Sequence, residues 1–202
     1  MAITITKAEI LVVVNARLGR AETDIDEELR SALYDISGWA DFLLTESDTS
    51  TVDGTASYAF PDNCKQMLWI MLDAGKDGKR TDPLTKIPME GYLTYRDNET
   101  TADEDEPEYY AIHNELIYPY PVPDAIYVMS QYYSRYHPND LATILFGEQF
   151  REAIYEMTMV KVCEKFQLWD DAKIHADLFS AELARLLTNI ERPPSRAKYR
   201  DI

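Results

Sequence analysis

The sequence predicts an α+β fold: an antiparallel helix bundle, with two N-terminal and two long C-terminal helices, and a small antiparallel β-sheet or hairpin insertion. Apolar residues recur every three or four positions near both ends of the chain, which is typical of amphipathic helices. Between them, apolar and aromatic residues alternate, which is typical of strands. We expect a single domain over residues 1–191 followed by an extended tail. The expected helices span about residues 6–18, 24–44, 147–168 and 170–190, and the expected β-rich region spans 50–136.

Two helix starts are visible near the N-terminus. Thr6 and Glu9 have the spacing of a capping box, in which the threonine oxygen accepts a hydrogen bond from the amide three residues later. Asp24 with Glu27 gives a second start signal. The apolar spacing then continues to Leu43, which predicts a second helix of about five turns.

The next part of the chain carries strand signals. Residues 51–60 alternate around Gly54, which predicts a strand with a bulge at the glycine. Residues 67–72, MLWIML, form a continuous apolar run, which predicts a strand covered on both faces. Residues 88–95 begin with a proline and predict one short helix.

A tyrosine-rich stretch, residues 109–136, holds eight of the 14 tyrosines. Its alternation stops at Asn114 and Glu115, where the chain can turn. Residues 109–113 and 116–120 are therefore expected to pair as a tight hairpin.

Three prolines follow within and after the second strand of this hairpin. Pro119, Pro121 and Pro123 have no amide hydrogen to donate to a neighbouring strand. The segment is therefore expected at a sheet edge or as an extended crossover. Alternation resumes at Ala125 and predicts a half-buried antiparallel strand.

The C-terminal part predicts two long helices and a basic tail. One apolar stripe ends near Val160, and a second ends near Ile190. Asp170 and Asp171 lie between the stripes, where negative charge favours the start of a new helix. Residues 192–202 start with two prolines after Arg192 and carry four basic residues against one acid, so we expect this segment to extend from the domain.

Composition limits the classes of partner. The chain has 20 basic and 36 acidic side chains and a net charge of −16, which disfavours binding to nucleic acid through a basic patch. The two cysteines, Cys64 and Cys163, are expected to be reduced thiols of a protein made in a reducing cytoplasm. No stretch approaches the ~20 apolar residues that span a membrane, so no membrane partner is expected.

The sequence predicts no catalytic, cofactor-binding or metal-binding residue, and therefore no enzyme. The three histidines fall in no metal or catalytic motif. Glu148, Glu152 and Glu156 recur every four residues and are expected to line a solvent-exposed helix face. The acidic run over residues 97–108 is expected to be a solvated loop, because packed like charges repel. A calcium site is the alternative, but adjacent acids lack the alternate-residue spacing and the glycine of a calcium loop.

The order of these elements carries a resemblance. The hairpin, the sequence LIYPYPVP at 116–123, a strand ending QYYSRYHP at 131–138 and a long helix occur in that order. Residues 52–61, VDGTASYAFP, add a G-T-x-x-Y strand that ends in proline. In these features the chain resembles the head-to-tail connector proteins, also called adaptor or head-completion proteins, of tailed bacteriophages. The resemblance spans about residues 6–190.

The resemblance implies a structural virion protein at the head-tail junction. Such proteins form rings of about twelve copies beneath the portal protein, extend the DNA channel and receive the next tail or nozzle protein. DNA is expected to pass through the ring without specific binding, because an acidic lumen removes the counterion-release gain that makes DNA bind.

Two sets of contact residues follow from this implied role. The basic tail is expected to dock on the portal through Arg192, Arg196, Lys198, Tyr199 and Arg200. Contacts with the tail side or with a neighbouring copy are expected at the hairpin turn and in the acidic run, namely at Asn114, Glu115, Asp103 and Asp105.

Two other functions stay open at this point. One is a peptidoglycan hydrolase activity carried by a connector-like protein, for which abundant acidic pairs give no distinguishing motif. The other is a monomeric acidic interaction module that shares only the topology.

Overall fold

The chain forms two compact units. The computed structural model describes residues 5–73, 80–97 and 104–191. One unit, here called the helical unit, combines Met1–Leu43 with His137–Ile202. The other, the β unit, consists of Leu44–Tyr136. The helical unit is therefore built from both ends of the chain.

The helices and strands within the described ranges have the following bounds. The helices are α1 (Lys7–Leu18), α2 (Asp26–Trp39), α3 (Met89–Asp97), α4 (Arg151–Lys165) and α5 (Trp169–Glu191), with a 3-10 turn at Glu148–Phe150. The strands are β1 (Leu44–Ser50), β2 (Tyr58–Ala59), β3 (Cys64–Asp73), β4 (Arg80–Pro83), β5 (Thr85–Lys86), β6 (Tyr109–His113), β7 (Leu116–Tyr120) and β8 (Val128–Arg135).

Local signals set the ends of α1. The Thr6 hydroxyl oxygen accepts a hydrogen bond from the Glu9 amide at 3.3 Å, which confirms the threonine half of the predicted capping box. The helix ends at Gly19, whose φ of 64° is left-handed and whose amide donates to the Asn15 carbonyl at 3.0 Å. A glycine at this position ends a helix without steric cost.

Helix α2 is shorter than its apolar pattern predicts. It ends at Trp39, and Ala40 is extended, with φ −152° and ψ 178°. Leu43 still lies in the core with 9% of its surface exposed, but it reaches the core from extended chain. The apolar spacing therefore continues past the true end of the helix, and the prediction that the helix runs to residue 44 is wrong.

Helix α4 is the centre of the helical unit. Ten of its 15 residues are buried, and it packs against α1, α2 and α5. Its neighbours contribute one apolar stripe each, including Ile10 of α1, Leu33 of α2 and Phe179 of α5. A helix with so large a buried fraction is stable only when other elements surround it.

The described residues of the β unit form two four-stranded sheets. Sheet A has the strand order β1-β8-β3-β4, and all its pairs are antiparallel. Sheet B has the order β2-β7-β6-β5, with β5 and β6 parallel. One core joins side chains of both sheets, among them Ile70 and Met129 of sheet A and Ile117 of sheet B. The two sheets therefore pack face to face.

This architecture corrects the predicted fold. The protein is mixed α and β, but the prediction of an antiparallel helix bundle with a small β-sheet or hairpin insertion is wrong, because eight strands in two sheets form a unit with its own core. Strand β1 has the sequence LTESDTS and no apolar residue after Leu44, while β2 and β5 are two residues long. Such strands show no alternation of apolar residues in the sequence, because hydrogen-bonded pairing with a neighbouring strand, and not burial of one face, defines them.

The tyrosines of the hairpin form a layer under α3. Strands β6 and β7 turn Tyr110 and Ile117 toward the core between the sheets. On their other face, Tyr92 of α3 is fully buried, with its ring centroid 5.5 Å from that of Tyr118 and 6.2 Å from that of Tyr120. Alternate residues of the hairpin therefore lie on two buried faces. One face packs against sheet A, and the other packs against α3.

Two further sequence predictions in the β unit need correction. Gly54, with φ 71°, lies in a turn and not in a strand bulge, and only Tyr58–Ala59 of the predicted strand over residues 51–60 pairs. Strand β7 is not an edge, because β2 pairs with it at Leu116 and Ile117. Pro119 is tolerated because it lies beyond the short β2 and opposes only β6.

The hairpin turn predicts a stabilising substitution. Asn114 and Glu115 have φ values of 49° and 60°, as the type I′ turn of a two-residue loop requires. Asparagine tolerates this conformation, but glutamate is strained in it. We expect Glu115→Gly to raise the free energy of unfolding by about 0.5–1 kcal/mol, after the larger chain entropy of glycine is allowed for. Urea denaturation measures it. Asn114→Gly is the matched control. An equally large gain in the free energy of unfolding from that substitution would contradict the explanation that Glu115 is strained.

An ion pair between α1 and α2 predicts sensitivity to acid. The ammonium group of Lys7 contacts the Asp26 carboxylate and holds the pKa of that carboxyl below its ordinary value of 3.8. An ion pair that lowers the pKa of a carboxyl in the folded protein stabilises the fold at pH values above the ordinary pKa. This stabilisation is lost as the pH falls through the lowered pKa of the folded state. Asp26→Asn should therefore destabilise the protein at pH 6 and make no difference once the pH is well below 3.8. Urea denaturation at several pH values measures it, with Asp62→Asn as the control of equal charge. A difference that persists at the lowest pH would contradict the assignment.

Candidate functional site

All five predicted portal contacts lie in the tail, beyond the last described residue. Arg192, Arg196, Lys198, Tyr199 and Arg200 all lie outside the described residues, as does Asp103. Three predicted contact residues are described, namely Asn114, Glu115 and Asp105. The geometry of the candidate surfaces therefore rests on these three and on features that the sequence did not reveal.

The described contact residues lie at opposite ends of one hairpin. Asn114 and Glu115 are exposed at the turn between β6 and β7. Asp105 is exposed at the other end, where its amide donates to the Val122 carbonyl at 2.9 Å. Strands of five residues separate the two ends, a length of about 17 Å. The structure therefore does not bring the three residues into one patch.

Sheet A carries an apolar groove on its outer face. The groove has a volume of about 310 Å³ and is lined chiefly by Leu44, Leu68, Trp69 and Tyr132. Trp69 is 44% exposed and Leu44 is 63% exposed. The Trp69 and Tyr132 rings stack with centroids 5.3 Å apart. Exposed aromatic side chains that line a groove are typical of a surface that binds another protein.

The sequence did not reveal this groove. The apolar run over residues 67–72 predicts a strand covered on both faces, and this prediction is wrong, because the register of β3 against β8 shifts between Met67 and Trp69. Met67 and Ile70 face the core, whereas Trp69 faces outward. The tryptophan within an otherwise aliphatic run was the available signal, because large aromatic residues are common at interfaces.

The groove continues onto an acidic edge. Strand β1 forms one edge of sheet A among the described strands, and its residues are alternately exposed and half-buried. Glu46 and Asp48 lie on the exposed face, and one Asp48 carboxylate oxygen accepts from the Ser130 hydroxyl at 2.7 Å. An apolar groove beside two acids favours a partner that combines an apolar anchor with positive charge.

A second polar cluster lies inside the helical unit. Glu156 of α4 is only 8% exposed, and its two carboxylate oxygens bind different partners. One contacts Arg17 Nη1 of α1 at 2.5 Å, and the other contacts His175 Nδ1 of α5 at 2.6 Å. The prediction that Glu156 belongs to a solvated face is therefore wrong. Glu152, one turn earlier, is more exposed and reaches Arg17 at 3.4 Å.

The remaining histidine and cysteine candidates have structural surroundings. His137 Nε2 accepts from the Leu145 amide at 3.1 Å, so Nδ1 donates to the Pro138 carbonyl at 2.7 Å and the ring shapes the chain before α4. Both cysteines are free thiols, and burial raises the pKa of Cys64 to about 11. In the described part of the chain, no three histidine, cysteine or acidic side chains are placed to hold a metal ion together.

These arrangements join helices and strands to one another, and the exposed groove and edge offer surfaces to other proteins. Within the described ranges, no helix is long and apolar enough to cross a membrane.

The comparison with protein families identifies the class of protein. The chain belongs to the SU10 adaptor protein family, which matches residues 5–199. It is therefore a phage structural adaptor protein and a virion component. This confirms the resemblance to phage head-to-tail connectors. No curated protein matches the chain.

The buried glutamate gives a prediction for stability. Glu156→Ala leaves Arg17 and His175 without the carboxylate that joins them, and their side chains are only 32% and 17% exposed. We expect a loss of about 2 kcal/mol in the free energy of unfolding, because one member of a largely buried pair is removed. Chemical denaturation measures it. The matched control is Glu152→Ala, which should cost less than about 1 kcal/mol because that pair is exposed. Equal losses would mean that helix propensity and not the cluster explains both.

Proposed function

We propose that this protein is a ring subunit beneath the portal, which extends the DNA channel and joins the phage head to the tail. Membership of the SU10 adaptor protein family over residues 5–199 is the observation that carries this proposal. An adaptor must contact at least two other virion components and copies of itself. The chain offers two surfaces for such contacts: the hairpin turn, and the groove of sheet A together with the adjoining edge strand β1.

Charge supports a role around DNA that is free to move. Each chain has a net charge of −16, and a ring of about twelve copies multiplies that charge around its channel. Repulsion between acidic side chains and phosphates removes the counterion-release gain that makes DNA bind. DNA would then pass through the ring without specific binding.

The portal contact is assigned to the tail. Residues 192–202 combine four basic residues, two prolines and Tyr199 on an otherwise acidic chain. Arg192, Arg196, Lys198 and Arg200 favour a partner with an acidic or groove-like surface, and Tyr199 supplies an aromatic anchor.

The tail-side contact is assigned to the β unit. Asn114 and Glu115 project at one end of the β6-β7 hairpin, and Asp105 lies at the other end. Because about 17 Å separates the two ends, we assign the hairpin turn to the downstream tail or nozzle protein and the acidic end, with Asp103, to a neighbouring copy.

Removal of residues 192–202 tests the portal contact. We expect wild-type protein, mixed with its portal protein, to form rings stacked on the portal, and we expect the truncated chain to lose them. The double variant Arg196→Glu with Arg200→Glu should weaken stacking at least about tenfold, since each 1.4 kcal/mol of lost binding free energy is tenfold in affinity. Negative-stain imaging and co-sedimentation measure both.

The control variant makes the same change in net charge at positions outside the tail. Lys86→Glu with Lys173→Glu reverses two exposed lysines outside the tail and should leave stacking unchanged. Stacking that survives truncation would overturn the tail assignment. A chain that never associates with the portal would overturn the ring proposal itself.

A further inference from the structure

The backbone of β1 presents hydrogen-bonding groups along the outer edge of sheet A. Thr51, which continues the register of β1, donates its amide to the Tyr127 carbonyl on the β8 side at 2.8 Å. Successive residues of a strand direct their backbone groups to opposite sides. The amides and carbonyls of Ser50, Asp48, Glu46 and Leu44 therefore point away from β8. An edge of this kind can accept an added strand.

The side chains of β1 determine which strand can pair with this edge. Glu46 and Asp48 lie on the same exposed face of the strand, two residues apart. If two copies of β1 paired with each other antiparallel about Ser47, Glu46 of each copy would oppose Asp48 of the other. Like charges in directly opposed positions are destabilising. The edge therefore disfavours its own copy and favours a strand with basic residues at alternate positions.

The tail of the chain has that pattern. Arg196, Lys198 and Arg200 alternate with Ala197 and Tyr199. In an extended strand the three basic side chains fall on one face. The 11 residues from 192 to 202 can span up to about 40 Å beyond Glu191 when fully extended.

We propose that residues 196–200 of a second copy add to β1 as an antiparallel strand. In this register Arg196 opposes Asp48, Lys198 opposes Glu46, and Arg200 opposes Leu44 beside the apolar groove. The prolines then fall at Ser50 and beyond, where the ladder ends. The first two of these pairs join opposite charges on one face of the sheet, and Arg200 lies opposite an apolar residue.

A contact between the tail of one copy and the edge of the next is heterologous, and repeated heterologous contacts generate rings when the rotation closes. The inference thus rests on the proposed ring and names one contact between its neighbours. The same residues are assigned to the portal above, so the two contacts are alternatives. A tail held by the neighbouring copy has to be released before it docks on the portal.

Amide hydrogen exchange of the full-length protein, without portal, tests this contact. We expect the amides of Asp48 and Ser50 to exchange at least about tenfold more slowly as protein concentration rises toward millimolar, because strand addition protects outward-facing amides. The double variant Arg196→Glu with Lys198→Glu should abolish the concentration dependence. Sedimentation should show the same variant losing self-association.

Substitutions that swap the charges of β1 and of the tail distinguish loss of strand pairing from misfolding. Glu46→Lys with Asp48→Lys should also lose the protection, and the chain with all four substitutions should regain it. Asp53→Lys with Glu90→Lys makes the same change in net charge at exposed positions off β1 and should behave like wild type.

Three results would overturn the inference. Protection that does not depend on concentration would place the tail on its own chain. Protection that survives the tail substitutions would assign the edge to another segment. The third result is that β1 shows no protection at millimolar concentration while truncation still abolishes portal stacking. The tail would then bind the portal and not the neighbouring copy.

Discussion

The helical unit depends on the burial of α4. Ten of its 15 residues are buried, and one of them is Glu156, which is held by Arg17 from α1 and His175 from α5. A carboxylate at 8% exposure is costly unless its oxygens are paired, so the partners must arrive together with the surrounding helices. Because α1 and α2 come from the beginning of the chain, the unit closes only when segments more than 100 residues apart meet.

The β unit uses its aromatic residues in two different ways. Tyr92, Tyr118 and Tyr120 fill the layer between α3 and sheet B, where they are structural. Trp69 and Tyr132 instead stack on the outer face of sheet A and leave a groove. For a phage adaptor protein, which must hold its own shape while joining other components, this division separates the residues that stabilise the fold from those available for contact.

The candidate surfaces were harder to predict than the local elements. The hairpin turn at Asn114 and Glu115 was predictable, since two adjacent turn residues interrupted a clear alternation. The groove was not, because a register shift between Met67 and Trp69 decides which side chain faces outward. The acidic strand β1 carries no apolar period, so its place in a sheet follows only from its pairing with β8.

By itself the sequence determined the resemblance to phage connectors, which rests on the order of elements along the chain. It also determined those features that depend on a few neighbouring residues: the Thr6 cap, the hairpin turn and the start of α5 close to Asp170. The last three are local because capping and turn geometry act within four or five residues. Only the tertiary structure decided that the middle of the chain forms two packed sheets and that Glu156 is buried. Both outcomes depend on which distant segment covers a given face, and the spacing of residues along one segment does not encode that choice.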